Sequence, residues 1–407
     1  MSLHTAPRRT TALAVASVLA LLLSACGATQ KAAPEQDSPP RPSASPGAEA
    51  GTGHGSHAAT AGAPVRHKPL RTGERRVAVQ MPEDYTPSAP NGVGTDDYRC
   101  FLLDPKLASD QFITGFNVLP GNPDVVHHVI LFRVPTDKVA EAEAKDAATP
   151  GQGWTCFGNS GLASGTGAEI DDAPWLGAWA PGGSEQIYRA GFGERFDRGS
   201  RVIMQVHYNL LAGKEPDRSA AELRLAPVTD KITPLETRLL PAPVELPCRP
   251  EHSDGPLCTR AAALADVKKR FGQGPGATAD LLHLLCGPVK AGQVQSCTRT
   301  IGRPETVRGV AGHMHLLGKS IKVEVNAGTP RARTLLDIPV WDFDNQGSRP
   351  IKPVSLKPFD TLTVTCTHTQ ALRDQLPAFD GIPDKYVVWG EGTTDEMCLG
   401  YVLVTRP

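Results

Sequence analysis

Two histidines one residue apart, His313 and His315, are the part of this chain best suited to metal chemistry. They lie in Gly312-His313-Met314-His315-Leu316-Leu317-Gly318-Lys319, between the Thr306–Val310 approach and the alternating run Ile321-Lys322-Val323-Glu324-Val325. That setting reads as a β-strand, in which residues i and i+2 share a face. His313 and His315 would point one way and Met314 the other. Each neutral imidazole offers a lone pair, so the two rings together could grip a transition metal. The same spacing also describes the exposed polar face of an edge strand, and these residues alone leave both readings open.

Three further stretches carry candidate ligands. In Asp124-Val125-Val126-His127-His128-Val129-Ile130-Leu131-Phe132 the histidines are adjacent and would face opposite ways in a regular strand. A bulge or a strand end could re-aim one of them so that both reach one metal. Otherwise one is buried and one exposed. In Arg201–Asn209 the alternation puts Gln205, His207 and Asn209 on one face and Val202, Met204, Val206 and Tyr208 on the other. A lone His207 there is either a solvated polar residue or a ligand. In Asp395-Glu396-Met397-Cys398 the methionine is either core filling or a soft thioether ligand suited to Cu(I) beside imidazoles.

These residues need a scaffold, and from Arg76 onward the chain reads as short strands broken by Gly, Pro, Asn and Asp. Val77–Val79, Tyr98–Leu103, Phe112–Val118, Val125–Val134, Val202–Leu210, Glu222–Leu225, Ile321–Val325, Leu362–Thr367 and Tyr401–Val404 all suit strands. Many short strands with turn signals predict an all-β sandwich or jelly-roll architecture. One helix is predicted, from a Thr259 cap to Phe271, with Gly272 as its stop. It lies in the cysteine-bounded stretch Cys248–Cys297.

At 407 residues the chain can hold two full cores. A net charge of −1 and the lack of a long basic run argue against nucleic acid or acidic lipid as a partner. Arg8-Arg9 and the apolar Leu13–Leu23 read as a signal peptide, residues 1–25. Leu23-Ser24-Ala25-Cys26 resembles the bacterial lipobox, which implies cleavage before Cys26, acylation of its sulfur and anchoring on the outer side of the membrane. An ordinary signal peptide with an incidental cysteine is the alternative. Residues 26–75 form the linker, rich in Ala, Pro, Gly and Ser, with His54, His57 and His67 as passengers. The eight cysteines other than Cys26 suggest four disulfides in an exported chain, with no Cys-x-x-Cys pair.

Taken in order, His-His-x-x-x-Phe, Gln-Val-His-Tyr, His-x-His-x-x-Gly-Lys and Glu-Met-Cys resemble the motifs of the copper type II, ascorbate-dependent monooxygenases. That family includes peptidylglycine α-hydroxylating monooxygenase and dopamine β-monooxygenase. Trp175–Gly182 and Trp341–Gln346 also look like segments of bacterial relatives. The resemblance implies two tandem jelly-roll-like domains, 76–228 and 229–407, the second with an insertion at 248–297. It assigns His127, His128 and His207 to an electron-delivering copper. It assigns His313, His315 and Met397 to a second copper, where dioxygen is used to hydroxylate a C–H bond. It places one copper on each domain, facing across a water-filled cleft. The expected cofactors are two copper ions per chain and ascorbate or a similar electron donor. Gln205 and Tyr401 are possible cleft residues.

The resemblance also pairs Cys100 with Cys156. A Cys366–Cys398 bridge would pin the loop holding Met397. Cys248–Cys258 and Cys286–Cys297 are proposed as short local loops. In the peptide-amidating branch an arginine precedes the His-x-His by two residues, and here Ala311 stands there. Leu399 stands where that branch has an asparagine, while Tyr401 matches its tyrosine. Without the guanidinium clamp on a carboxylate, a different or more apolar small or peptide-like substrate is expected. Two rival readings are a non-catalytic copper-binding surface lipoprotein and a β-sandwich adhesion or carbohydrate-binding module. His252 and His283 belong to the insertion and have no assigned role, and His368 reads as an exposed strand residue.

Overall fold

The computed structural model describes residues 67–407 apart from 91, 93, 163–174, 182, 212 and 344–345. The expectations for the leader, Cys26, His54 and His57 lie outside the described residues, as does the greater part of the linker. The chain is all-β, built as two jelly-roll-like sandwiches with a small helical insertion.

In the first sandwich one sheet runs through strands Arg75–Gln80, Ala220–Pro227, Gln111–Leu119 and Phe192–Phe196, all antiparallel. The facing sheet has the order Trp154–Thr155, Asp96–Leu103, Arg201–Asn209, Val126–Val134, Trp175–Trp179. Val79, Val118 and Leu223 of the one pack against Phe101, Val129, Met204 and Val206 of the other. In the second sandwich Glu236–Ala242, Cys398–Thr405, Glu305–His313 and Arg349–Leu356 form one sheet. Val294–Thr300, Thr361–His368, Gly318–Val325 and Arg333–Ile338 form the other. Val310, Val402, Ile321, Val323 and Val364 fill the space between them.

A third apolar cluster joins the two sandwiches. Ile130, Phe132, Trp175 and Ile203 of the first meet Leu239, Ala311, Leu399 and Tyr401 of the second. The strands facing this cluster are therefore buried on both sides, and Arg201–Asn209 is covered along nearly its whole length. Burial on both faces follows when a sheet has a core on each side.

The insertion helix forms as the sequence predicts. In α2, Arg260–Phe271, the Thr259 hydroxyl accepts from the Ala262 N–H at 3.2 Å, and Gly272 ends the helix at φ 88°. Two other helices were not expected. The first, α1 (Val139–Ala148), is alanine-rich and buries Ala142 alone. The second, α3 (Gln273–Cys286), begins through Gly274, Pro275 and Gly276, residues that read as a turn when taken locally. Among the described residues no helix is long and apolar enough to cross a membrane.

All four disulfides are present as paired above: Cys100–Cys156, Cys248–Cys258, Cys286–Cys297 and Cys366–Cys398.

Candidate metal centre

His127 and His128 reach the same point because the strand is bulged there. Val126 pairs with Tyr208 and His128 with His207, leaving His127 as the extra residue. A bulge turns the inserted side chain to the face of its neighbour. The Nδ1 atoms of His127 and His128 each lie 3.2 Å from Nδ1 of His207, and the three rings form one cluster. Two nitrogens about 2 Å from a shared tetrahedral metal sit about 3.3 Å apart, so this spacing fits a common ion.

Asp96 fixes the remaining nitrogen of His207. Its Oδ1 takes the proton of His207 Nε2 at 2.8 Å, which leaves Nδ1 as the free lone pair. The same oxygen accepts from the Thr393 N–H at 3.1 Å and its hydroxyl at 2.8 Å, so this carboxylate ties the two sandwiches together. Burial works to raise the Asp96 pKa, but the bonds from His207 and Thr393 outweigh it and hold the group down at about 2. Tyr98 stacks on His207 at 4.0 Å and donates its hydroxyl proton to the Glu391 carbonyl. His207 is thus fully buried, not a solvated residue of a polar strand face.

His313 ends the strand Glu305–His313, a central strand of its sheet, and His315 lies in the turn beyond. The two rings are still neighbours, with centroids 5.1 Å apart, and Met314 turns away into the core of the second sandwich. His313 donates from Nδ1 to Gln346 Oε1 at 2.6 Å, which leaves its Nε2 lone pair free. His315 donates from Nδ1 to the Asp395 carbonyl at 3.3 Å, and its Nε2 is buried with no hydrogen-bond partner. An orphaned, buried imidazole nitrogen is costly unless something binds it, and a metal ion is one group that meets that need.

Met397 approaches from the segment that leads into the neighbouring strand, Cys398–Thr405. The antiparallel ladder ends with His313 opposite Leu399, two residues after Met397. Glu396, wholly buried, accepts from the backbone N–H groups of His315 at 2.9 Å, Leu317, and Met397 at 3.2 Å. His368, expected to be exposed, is 1% exposed. Its Nε2 faces the Met397 carbonyl at 3.1 Å and Glu396 at 3.3 Å, so it backs the methionine loop from within. The Cys366–Cys398 bridge joins that loop to the Thr361–His368 strand.

The two ligand sets, expected to face each other across a cleft, lie close together. The rings of His128 and His313 are 5.9 Å apart, edge to face. Phe343 stacks on His127 at 4.8 Å and lies 6.5 Å from His315. The apolar cluster between the sandwiches draws the two ligand sets together.

Burial depresses the pKa values of His127, His128, His313 and His315, with the neighbouring histidines adding to the effect. For His313 the value falls to about 3. These four rings are neutral at pH 7, the form that binds metal.

A cavity of about 1000 Å³ opens beside both sets, lined by His127, His128, His313, Met397, Leu399 and Tyr401. Gln205 lines it too, donating to the Asn159 carbonyl at 2.8 Å while its Oε1 finds no partner. Two buried acids that the sequence did not single out, Glu194 and Glu391, also border it, and burial raises each to a pKa of about 8. Both are protonated at neutral pH and can donate hydrogen bonds. Asp96, Gln346, Phe343, Glu396 and His368 were likewise missed as supports, since only the pairing of distant segments reveals them.

No protein-family model and no curated protein matches this chain. A Paenibacillus xanthan lyase structure overlaps 77% of it at 12% identity with a TM-score of 0.19, and the chain spans 23% of that lyase. Allantoicase overlaps 78% of this chain and 90% of its own, at 15% identity and a TM-score of 0.17. The fucolectin of striped bass (Morone saxatilis) overlaps 77% and 84%, at 8% identity and a TM-score of 0.16. At such scores these likenesses carry no argument about the site.

Proposed function

We propose that this chain is a copper-dependent monooxygenase resembling the copper type II, ascorbate-dependent family. It would hydroxylate a C–H bond of a small or peptide-like substrate. The observation that carries the reading is the buried, partnerless His315 Nε2, set beside His313 at the mouth of a cavity that the three-histidine cluster also borders. His127, His128 and His207 would hold one copper through Nδ1. His313 and His315 would hold the other through Nε2, with the Met397 thioether. Soft sulfur beside imidazole suits Cu(I). When bound, the copper pair supplies one-electron transfer and the activation of dioxygen.

The chain's own contribution is positional. Asp96, Gln346 and the Asp395 carbonyl set the tautomers of His207, His313 and His315. Glu396 and the Cys366–Cys398 bridge hold the methionine loop. Direct ring contact between His128 and His313 leaves a short path for an electron. Ala311 and Leu399 offer no cation to a substrate carboxylate. The neutral acids Glu194 and Glu391 favour an uncharged or largely apolar substrate. The four disulfides agree with an oxidising compartment and so support an exported protein.

Copper analysis of the purified chain tests the reading. About two ions per chain are expected, falling to about one in His313→Ala or Met397→Ala. Oxygen uptake with ascorbate and candidate substrates separates enzyme from carrier. Copper bound without any uptake would leave the non-catalytic lipoprotein. A chain that purifies free of copper and takes up none would remove both.

A further inference from the structure

A second cavity, of about 900 Å³, lies apart from the ligand sets and is walled by both sandwiches. Lys68, Arg71 and Arg189 line it from the first, and Arg308, Arg349 and Lys352 from the second. Its only acid among the described residues, Glu185, is already engaged, accepting from the Lys68 N–H at 2.7 Å and from Arg76 at 2.9 Å. Among the described residues Arg189, Arg349 and Lys352 have no carboxylate partner, and Arg308 meets only the Thr405 hydroxyl and the Phe192 ring. Arg71 is paired with Glu74 at 3.3 Å, and the other five cations around one engaged acid make a positive cleft, which concentrates anions.

The floor of the cleft is apolar. Phe192, Leu235 and Leu403 pack there as a small cluster of their own with Tyr188. Inorganic ions need no such floor, whereas a small organic anion would use both parts. The volume lies in the range usual for small-molecule sites, about 300–1,000 Å³.

The cleft shares one supporting residue with the candidate metal centre. Gln346 lines both cavities, and its Oε1 is the acceptor that sets the His313 tautomer. Two residues on, Ser348 donates to Gln186 Oε1 of the first sandwich at 3.2 Å, and Arg349 follows it directly. An anion held by Arg349 would therefore bear on the segment that orients His313.

We propose that this cationic, apolar-floored cleft between the sandwiches binds a small organic anion of the carboxylate or enediolate class. Ascorbate, the reductant named above, belongs to that class; that identification alone rests on the copper reading.

Calorimetric titration of the metal-free full chain tests the site, with ascorbate, benzoate and inorganic phosphate as probes at physiological salt. Saturable one-to-one binding of ascorbate or benzoate is expected, with phosphate weaker. The double variant Arg189→Glu/Arg349→Glu should weaken it by roughly tenfold or more while melting like the parent. Met397→Ala, at a residue that does not line the cleft, should leave anion affinity unchanged, so this result stands or falls separately from copper content. Absence of saturable binding of either organic anion up to about 10 mM would overturn the proposal. So would an unchanged affinity in the double variant, or phosphate binding as tightly as the organic probes.

Discussion

Arg270 grips Asp395 with both terminal guanidinium nitrogens, at 2.8 and 2.7 Å, and Asp395 stands two residues before Met397. Arg270 belongs to α2, so the insertion braces the methionine loop. Lys385 Nζ joins the same carboxylate at 2.5 Å. The paired cations outweigh burial and keep Asp395 ionised. The Asp395 carbonyl in turn takes the His315 Nδ1 proton, so the clamp reaches two expected ligands of one site.

Arg270→Ala should therefore loosen the His315/Met397 site before the three-histidine site. Removing one partner of a buried pair costs roughly 3 kcal/mol, at the low end because Lys385 remains. Denaturant melts and copper counts would check this. Arg270→Lys should rescue only partly, since a single ammonium cannot reproduce the two-pronged contact. Equal copper loss from both sites would contradict a local brace.

Asp96→Asn should weaken the three-histidine site about 10- to 100-fold, the usual loss when the partner that orients a ligand is removed. The amide can present its N–H to His207 Nε2, which would favour the wrong tautomer. Competition titration with a chelator gives the affinity. The His313/His315 site should bind as before.

Glu391 offers a test by pH. Its folded pKa, about 8, lies above the ordinary value of 4.5, chiefly through burial. Between those values the folded chain holds a proton that the unfolded chain has released. Its contribution to stability is present below about 4.5 and is lost as pH rises towards 8, at about 1.4 kcal/mol per pH unit. Glu391→Gln cannot titrate, so its stability relative to the parent should improve between pH 5 and pH 8 in denaturant melts. A parallel pair of curves would mean that the carboxyl is not held protonated.

Cys398→Ser/Cys366→Ser should cost about 3–4 kcal/mol, from the loop entropy of a closure with a sequence separation of 32. Copper should be lost first from the His313/His315 site, because the bridge starts at the residue after Met397. Thermal melts with copper counts would measure both effects.

Contact between the two ligand sets predicts interacting spins. With Cu(II) in both sites, the paramagnetic resonance signal should be broadened compared with His313→Ala carrying only the other ion. Matching line shapes would mean that the sandwiches stand apart in solution.

Local pattern was enough to determine part of this protein. Alternation located the strands that carry His127, His207 and the run after His315, because the side-chain period of two is a property of the strand itself. Thr259 and Gly272 marked α2 because caps act within one turn. The chemical types of the candidate ligands and their spacing were likewise plain in the chain. Tertiary structure alone decided which of them meet. The bulge at His127 exists only as a register shift against Arg201–Asn209. Asp96 finds His207 at a sequence separation of 111, and Arg270 finds Asp395 at 125. His368 looked exposed in an alternating strand and is buried because the methionine loop lies over it. Periodicity reports which face a residue takes, and only the packing of distant strands and helices settles what lies on that face.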